Sequence, residues 1–184
     1  MLLGFLQKIN VFKAYFVRED GSTAIEFSLM AIPYVMLTMG IIEVSLMYAS
    51  ASLLEGATSK AARLVRTGQI QQAAGDPEAI FRDAICSYTT ALIQCDDVQI
   101  EVVPIDSFAD YSNYEATYDE DGNLVPQGFD AGGSNDEILI RAVYQYKMMT
   151  PFVGQILSGA TGSRRFVSTI VLQTEPYEFD DGGA

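Results

Sequence analysis

Two carboxylates stand where a carboxylate is costly. Glu26 and Glu43 interrupt an apolar run from Ala24 to Tyr48 that holds no other charge. A charged side chain at the centre of a bilayer costs at least about 2.5–3.5 kcal/mol. Each glutamate therefore either snorkels to an interface or meets a partner. For Glu26, near the start of the run, that partner would be a cation. Glu43 would stand near the far edge or in a helix–helix contact. Pro33 lies between them and should kink a helix, which neighbouring helices in a membrane can accommodate. The other reactive pair, Cys86 and Cys95, lies outside the run. In an oxidising compartment a disulfide is natural, and two buried free thiols are the alternative. Nine residues of straight helix would hold the two about 13 Å apart, too far for a bridge. A disulfide thus requires the helix to end early and turn back, after Ile93.

The rest of the chemical inventory is thin. Histidine is absent, which removes Ser-His-Asp and Cys-His catalysis and imidazole metal sites. Two lone cysteines make a poor metal site. Asp119-Glu120-Asp121-Gly122-Asn123 suggests a calcium loop, but an EF-hand wants glycine sixth and here it is fourth. A solvated turn or hairpin is the simpler reading. No catalytic residue, metal or cofactor is expected, and the chain reads as a non-enzyme.

The elements that position these residues follow from pattern. The chain has 184 residues, 49% of them hydrophobic, and a mean hydropathy of +0.16. Setting aside the apolar block leaves roughly 130 residues, the size of one domain. Net charge is −13, most of the acid lies beyond residue 55, and such a domain repels nucleic acid. The run from Phe27 to Ile42 carries no charge, and about 20 apolar residues span a bilayer. Lys8, Lys13 and Arg18 precede it, which places the N-terminus in the cytoplasm, although Glu19, Asp20 and the later Lys60, Arg63 and Arg66 dilute that signal. A secretory signal cleaved at Ala49-Ser50-Ala51 is the rival. Residues 1–17 have loosely amphipathic spacing and suit a leader lying on the inner membrane face.

Beyond the run the pattern turns amphipathic without a stop signal until Gly68, so one helix is expected from Ser22 to Thr67. Leu46, Leu53, Ala57, Ala61 and Leu64 form its stripe, with Glu55, Lys60, Arg63 and Arg66 off it. The stripe packs either on the chain's own domain or in a coiled-coil seam with another chain. Asp76-Pro77-Glu78 opens a second helix with Ile80, Phe81, Ala84, Ile85, Tyr88 and Leu92 inward. Strands are expected at Val98–Val102, Ile138–Tyr146 and Arg165–Thr174. Asp106 to Asp136 is a polar insertion, and Thr150 to Gly162 is a short helix or loop. The tail from Glu175 to Ala184 is acidic and should fray. The fold class is α+β: a long N-terminal transmembrane helix continuing into a small domain with a second helix and an antiparallel sheet of about three strands.

One stretch resembles a known family. Gly21-Ser22-Thr23-Ala24-Ile25-Glu26-Phe27 looks like a prepilin peptidase site: glycine, four residues, glutamate, aromatic. With Pro33 and Gly40-Ile41-Ile42-Glu43 added, residues 18–66 resemble the TadE-like family of the Flp/Tad type IV pilus system. A weaker likeness lies at Tyr144-Gln145-Tyr146 and Thr150-Pro151-Phe152. The resemblance implies a pilin-like fold and a minor pilin or pseudopilin, anchored in the inner membrane by one helix, with its C-terminal domain in the periplasm. It implies processing by a prepilin peptidase between Gly21 and Ser22, with Glu26 and Phe27 as recognition residues. Glu26 would then pair with the new α-amino group of Ser22 on a neighbouring subunit, while Pro33 and Glu43 are helix landmarks. Implied partners are the inner membrane, the peptidase, other pilins and the assembly platform. Many members are basic just before the site, where this chain has Glu19-Asp20.

The expected division is leader 1–21, transmembrane helix 22–48, helix continuation 49–67, periplasmic α+β domain 68–174 and acidic tail 175–184. Two other classes stay open. One is an anchored enzyme or sensor, which would need a nucleophile–base pair or clustered acids. The other is an uncleaved single-pass envelope protein with a periplasmic binding domain built on residues 106–136.

Overall fold

The computed structural model describes residues 21–89, 92–159 and 162–177. The leader of residues 1–20 and the tail beyond Tyr177 lie outside the described residues. Helix α1 spans Ser22–Arg66 and α2 spans Pro77–Thr89. Strands β1 (Val98–Ile105) and β2 (Glu137–Lys147) follow, then α3 (Pro151–Ser158) and β3 (Ser163–Gln173), with 3-10 turns at Cys95–Asp97 and Phe108–Asn113. The chain is α+β. It divides into two compact units, the first ending at Ile42 and the second beginning at Glu43.

In the second unit, α1 packs through Ser50, Leu54, Ala57, Thr58, Ala61, Ala62 and Val65. That seam lies on the chain's own domain: Leu54, Ala57, Ala61 and Val65 share one core with Phe81 and Ile85 of α2 and Ile100, Val102, Ile138 and Ile140 of the sheet. The small residues let backbone approach backbone, and Leu46, Leu53 and Leu64 flank the seam half-buried. The helix stops as its glycine predicts. Gly68 has φ +72°, and the amides of Gly68 and Gln69 reach back to the carbonyls of Val65 (3.1 Å) and Leu64 (3.0 Å). These two bonds close a Schellman cap. A side chain at Gly68 is doubly barred, because a Cβ there would stand 2.6 Å from the Tyr177 ring.

The Asp76 carboxylate accepts the Glu78 amide at 3.2 Å and caps α2. The described helix runs to Thr89, and the Ile93 amide still reaches the Thr89 carbonyl at 3.0 Å. Its buried seam is Phe81, Ile85 and Thr89, so two residues expected inward are exposed. Tyr88 sits one position off the seam, with the Lys60 ammonium 3.3 Å over its ring, and Leu92 lies beyond the helix end. The Cα atoms of Cys86 and Cys95 stand 5.4 Å apart, and the two are joined as a disulfide.

The sheet is an antiparallel meander in the order β1-β2-β3, with Ile100 opposite Ala142 and Ala142 opposite Ser168. Alternation divides each strand between two faces. Ile138, Ile140, Ala142, Tyr144 and Tyr146 face the helices. Glu43 touches residues just after the end of β2, whereas Arg66 bonds Glu175, beyond the end of β3 and near the start of β2. This half of α1 therefore runs antiparallel to β2. Its rise of about 34 Å matches the roughly 36 Å of an eleven-residue strand.

The other sheet face is covered by the insertion, which does more than form a solvated turn. Val103, Ile105 and Leu139 are buried there with Tyr114 against them. Glu101 and Arg141 are cross-strand partners, form an ion pair and are both almost fully buried. The spare Glu101 oxygen accepts the Gln127 amide at 3.0 Å, and Arg141 donates to the Tyr114 carbonyl at 2.6 Å. The acidic cluster is a hairpin end, with Tyr118 bridged to Leu124. The Asp119 carboxylate takes the backbone and side-chain N–H groups of Asn123 at 2.7 and 3.0 Å, which hold it below its usual range. The first residues of the tail are tied down: the Glu175 amide donates to the Arg66 carbonyl at 2.8 Å.

Candidate functional site

Gly21 precedes the first residue of α1 and is exposed, and among the described residues nothing lies within 4 Å of where its Cβ would stand. The backbone between Gly21 and Ser22 is thus open. One turn on, Glu26 accepts a hydrogen bond from the Ser22 hydroxyl at 3.1 Å. The side chains that follow point outward on every side: Phe27 is 73% exposed and Leu29 75%. A helix apolar all round needs an apolar surrounding, and α1 is long and apolar enough to cross a membrane. The helix is unbroken across Pro33. Its hydroxyls are turned back on its own carbonyls, Ser28 to Ala24 at 2.7 Å and Thr38 to Val35 at 2.9 Å. That is how polar groups are satisfied where no water is present.

Glu43 is the reverse case. It is 1% exposed and accepts four hydrogen bonds: from the Tyr146 hydroxyl (3.1 Å), the Met149 amide (3.0 Å), the Thr150 amide (3.1 Å) and the Thr150 hydroxyl (2.9 Å). No cation is among these partners. A carboxylate is held inside the protein by dipoles aimed at it, which satisfy its lone pairs without a counter-charge. Burial, and then the Glu43 charge beside it, push the Tyr146 hydroxyl up to about 12. Glu43 neither snorkels nor stands between two helices. It clasps the end of β2 and the turn before α3.

The family model described as TadE-like protein matches residues 21–63. This segment is TadE-like. It contains Gly21, Ser22, Glu26, Phe27, Pro33 and Glu43, and it crosses from the first compact unit into the second. No curated protein and no solved structure matches the chain. The TadE-like segment stops short of α2, the disulfide and the sheet, so the donors that hold Glu43 come from outside it.

The structure brings Ser22 to Glu26 and Cys86 to Cys95. It also joins three landmarks that are far apart in sequence, since Glu43 meets both Tyr146 and Thr150. Sequence reasoning noted each of the three and missed that they form one cluster. The available signal was an acid ending an apolar run in a chain that also carries a Tyr-x-Tyr and a Thr-Pro, all groups with donors or free amides to offer. The buried Glu101–Arg141 pair was missed too. Its signal was one acid and one base placed mid-strand among apolar neighbours.

Proposed function

We propose that this chain is a membrane-anchored, pilin-like assembly subunit of a Tad-type pilus. The observation that carries the reading is the TadE-like match over residues 21–63, and the apolar helix that starts at Ser22 supports it. The hydrocarbon span lies within residues 22–48 and is best taken as 22–42, because Glu43 is already held by the folded domain. The N-terminus is cytoplasmic and the domain periplasmic, where the disulfide is stable. Prepilin peptidase cuts between Gly21 and Ser22, a bond whose backbone is exposed. The new Ser22 amino group then meets Glu26 of a neighbouring subunit in low dielectric, where the attraction is strong. Among the described residues Glu26 has only the Ser22 hydroxyl, so the carboxylate waits for that cation. The role is structural, and its partners are other pilins and the assembly platform.

N-terminal sequencing of the protein extracted from membranes tests this reading. A mature chain beginning at Ser22 is expected. A start near Ala51 would overturn the anchor itself. An intact Met1 would overturn processing and favour an uncleaved envelope protein with a periplasmic binding domain.

A further inference from the structure

The second compact unit leaves three large apolar side chains almost as bare as those of the membrane segment. Met149 is 72% exposed, Phe152 73% and Ile156 78%, against 73% for Phe27 and 75% for Leu29. All three belong to α3 or the turn before it. Phe152 and Ile156 are four apart and share one face of the helix. The opposite face is seated: Gly154 is buried, and a Cβ there would stand 2.7 Å from Met148. The α3 helix is thus a short element whose apolar side has no cover among the described residues.

Its position in the chain's hydrogen bonding identifies the cover. The amides of Met149 and Thr150, which lead into α3, are bonded to Glu43, the residue directly after the apolar span. The turn that leads into α3 is therefore held at the first residue after the span. Exposed Tyr48 lies little more than a turn further on, and tyrosine favours the membrane interface. Charge points the same way. The segment from Ile138 to Thr174 has no acid and four bases, of which Arg141 is buried against Glu101, Lys147 lies 3.9 Å from Asp97 and Arg165 stacks on Tyr118, which leaves Arg164 beside α3. Arg164 is exposed and closes the end of α3, its Nε donating to the Leu157 carbonyl at 3.0 Å. An apolar face with an exposed arginine at its end suits anionic headgroups, as the acidic surface elsewhere does not.

We propose that α3 is a membrane foot: Met149, Phe152 and Ile156 enter the headgroup–acyl boundary of the leaflet from which the span emerges, with Arg164 at the phosphates. This rests on residues 22–42 being the span. The foot fixes the height of the domain above the bilayer while the subunit waits in the membrane. It must lift out when the subunit is extracted into a filament.

The chain has no tryptophan, so single reporters can be placed in the full protein. Tyr34→Trp, Phe152→Trp, Ile156→Trp and Val125→Trp are each reconstituted in vesicles of phosphatidylethanolamine and phosphatidylglycerol whose acyl chains are brominated at shallow or deep positions. Tyr34→Trp is expected to lose most emission to deep bromines. Phe152→Trp and Ile156→Trp should lose most to shallow bromines, and Val125→Trp, on the insertion, should lose none. Without quenching at Tyr34→Trp the span itself is wrong, and the foot falls with it. Quenching at Tyr34→Trp but at neither α3 position overturns the foot alone. If those α3 reporters are instead shielded from aqueous iodide only at high protein-to-lipid ratio, the face belongs to another protein. Quenching at Val125→Trp also overturns the foot, since the whole domain would then lie on the lipid.

Discussion

Residues 22–42 and 43–66 of α1 share one helix and differ in what surrounds them. The first stretch exposes apolar side chains on every side and satisfies its hydroxyls internally. The second buries a narrow seam of small and apolar residues against a sheet and exposes Glu55, Lys60, Arg63 and Arg66. Each stretch opens near a glutamate, and the two carboxylates measure the difference. Glu43 has four donors supplied by its own domain. Glu26 has one hydroxyl, from its own helix. A carboxylate completed from within is architecture. One left incomplete at the start of an apolar helix is available to something that arrives later.

The sharpest way to break this contrast is to remove each acid in turn. Glu43→Ala strands the amides of Met149 and Thr150 and two hydroxyls in a buried site, and should destabilise the domain by at least about 3 kcal/mol. Thermal melting of the detergent-solubilised chain, followed by circular dichroism, checks this. Glu26→Ala should leave that melt within about 0.5 kcal/mol of the parent while impairing incorporation into pili. Equal melting losses in the two variants, or normal piliation with Glu26→Ala, would erase the distinction.

The next test concerns the Tyr146 hydroxyl alone. Its folded value, about 12, lies above the ordinary 10.0, so the native state favours the protonated form. That contribution is complete below pH 10 and is lost as pH rises from 10 through about 12. Tyr144 and Tyr177 are shifted in the same direction by burial, so the quantity to read is the difference between the parent and Tyr146→Phe. The parent should lose stability more steeply than the variant above pH 10, and parallel curves would mean that Glu43 does not rely on Tyr146. The smallest effect belongs to the seam. Ser50 is buried, and its hydroxyl has no partner among the described residues. Ser50→Ala should therefore be neutral or stabilising by about 1 kcal/mol, and a clear loss in urea titration would show that the hydroxyl is satisfied after all.

Much of the fold was readable because it rests on local rules. Gly68 supplies the positive φ that ends α1, Asp76 caps α2, and the alternation of Ile138 to Tyr146 is a strand buried on one face by helices and on the other by the insertion. What periodicity cannot carry is the identity of a partner far along the chain. Glu43 read as a residue at the far edge of the span or in a helix contact, and its donors at positions 146–150 could not be named from pattern. Tyr88 read as core because it is apolar and near the seam, yet a neighbouring lysine holds its ring at the surface. The insertion read as polar and its acidic cluster as a turn or hairpin, which it is, but pattern could not name the inward bonds that its backbone makes to Gln99, Glu101 and Arg141. Of the site, the TadE-like landmarks were visible one by one, and their convergence on Glu43 required the fold.

The antiparallel course of α1 along β2 also has a mechanical meaning. The helix is stitched to the sheet near both ends, by Glu43 at one and by Arg66 with Glu175 at the other, where an ion pair of 3.5 Å adds to the backbone bond. A pull on the anchor directed along the helix axis therefore loads these stitches and the core between them in shear, together, rather than peeling them apart one at a time. Two fastenings that share a load give way at higher force than the same two met in succession. The domain is thus built to stay whole when its helix is loaded along its axis.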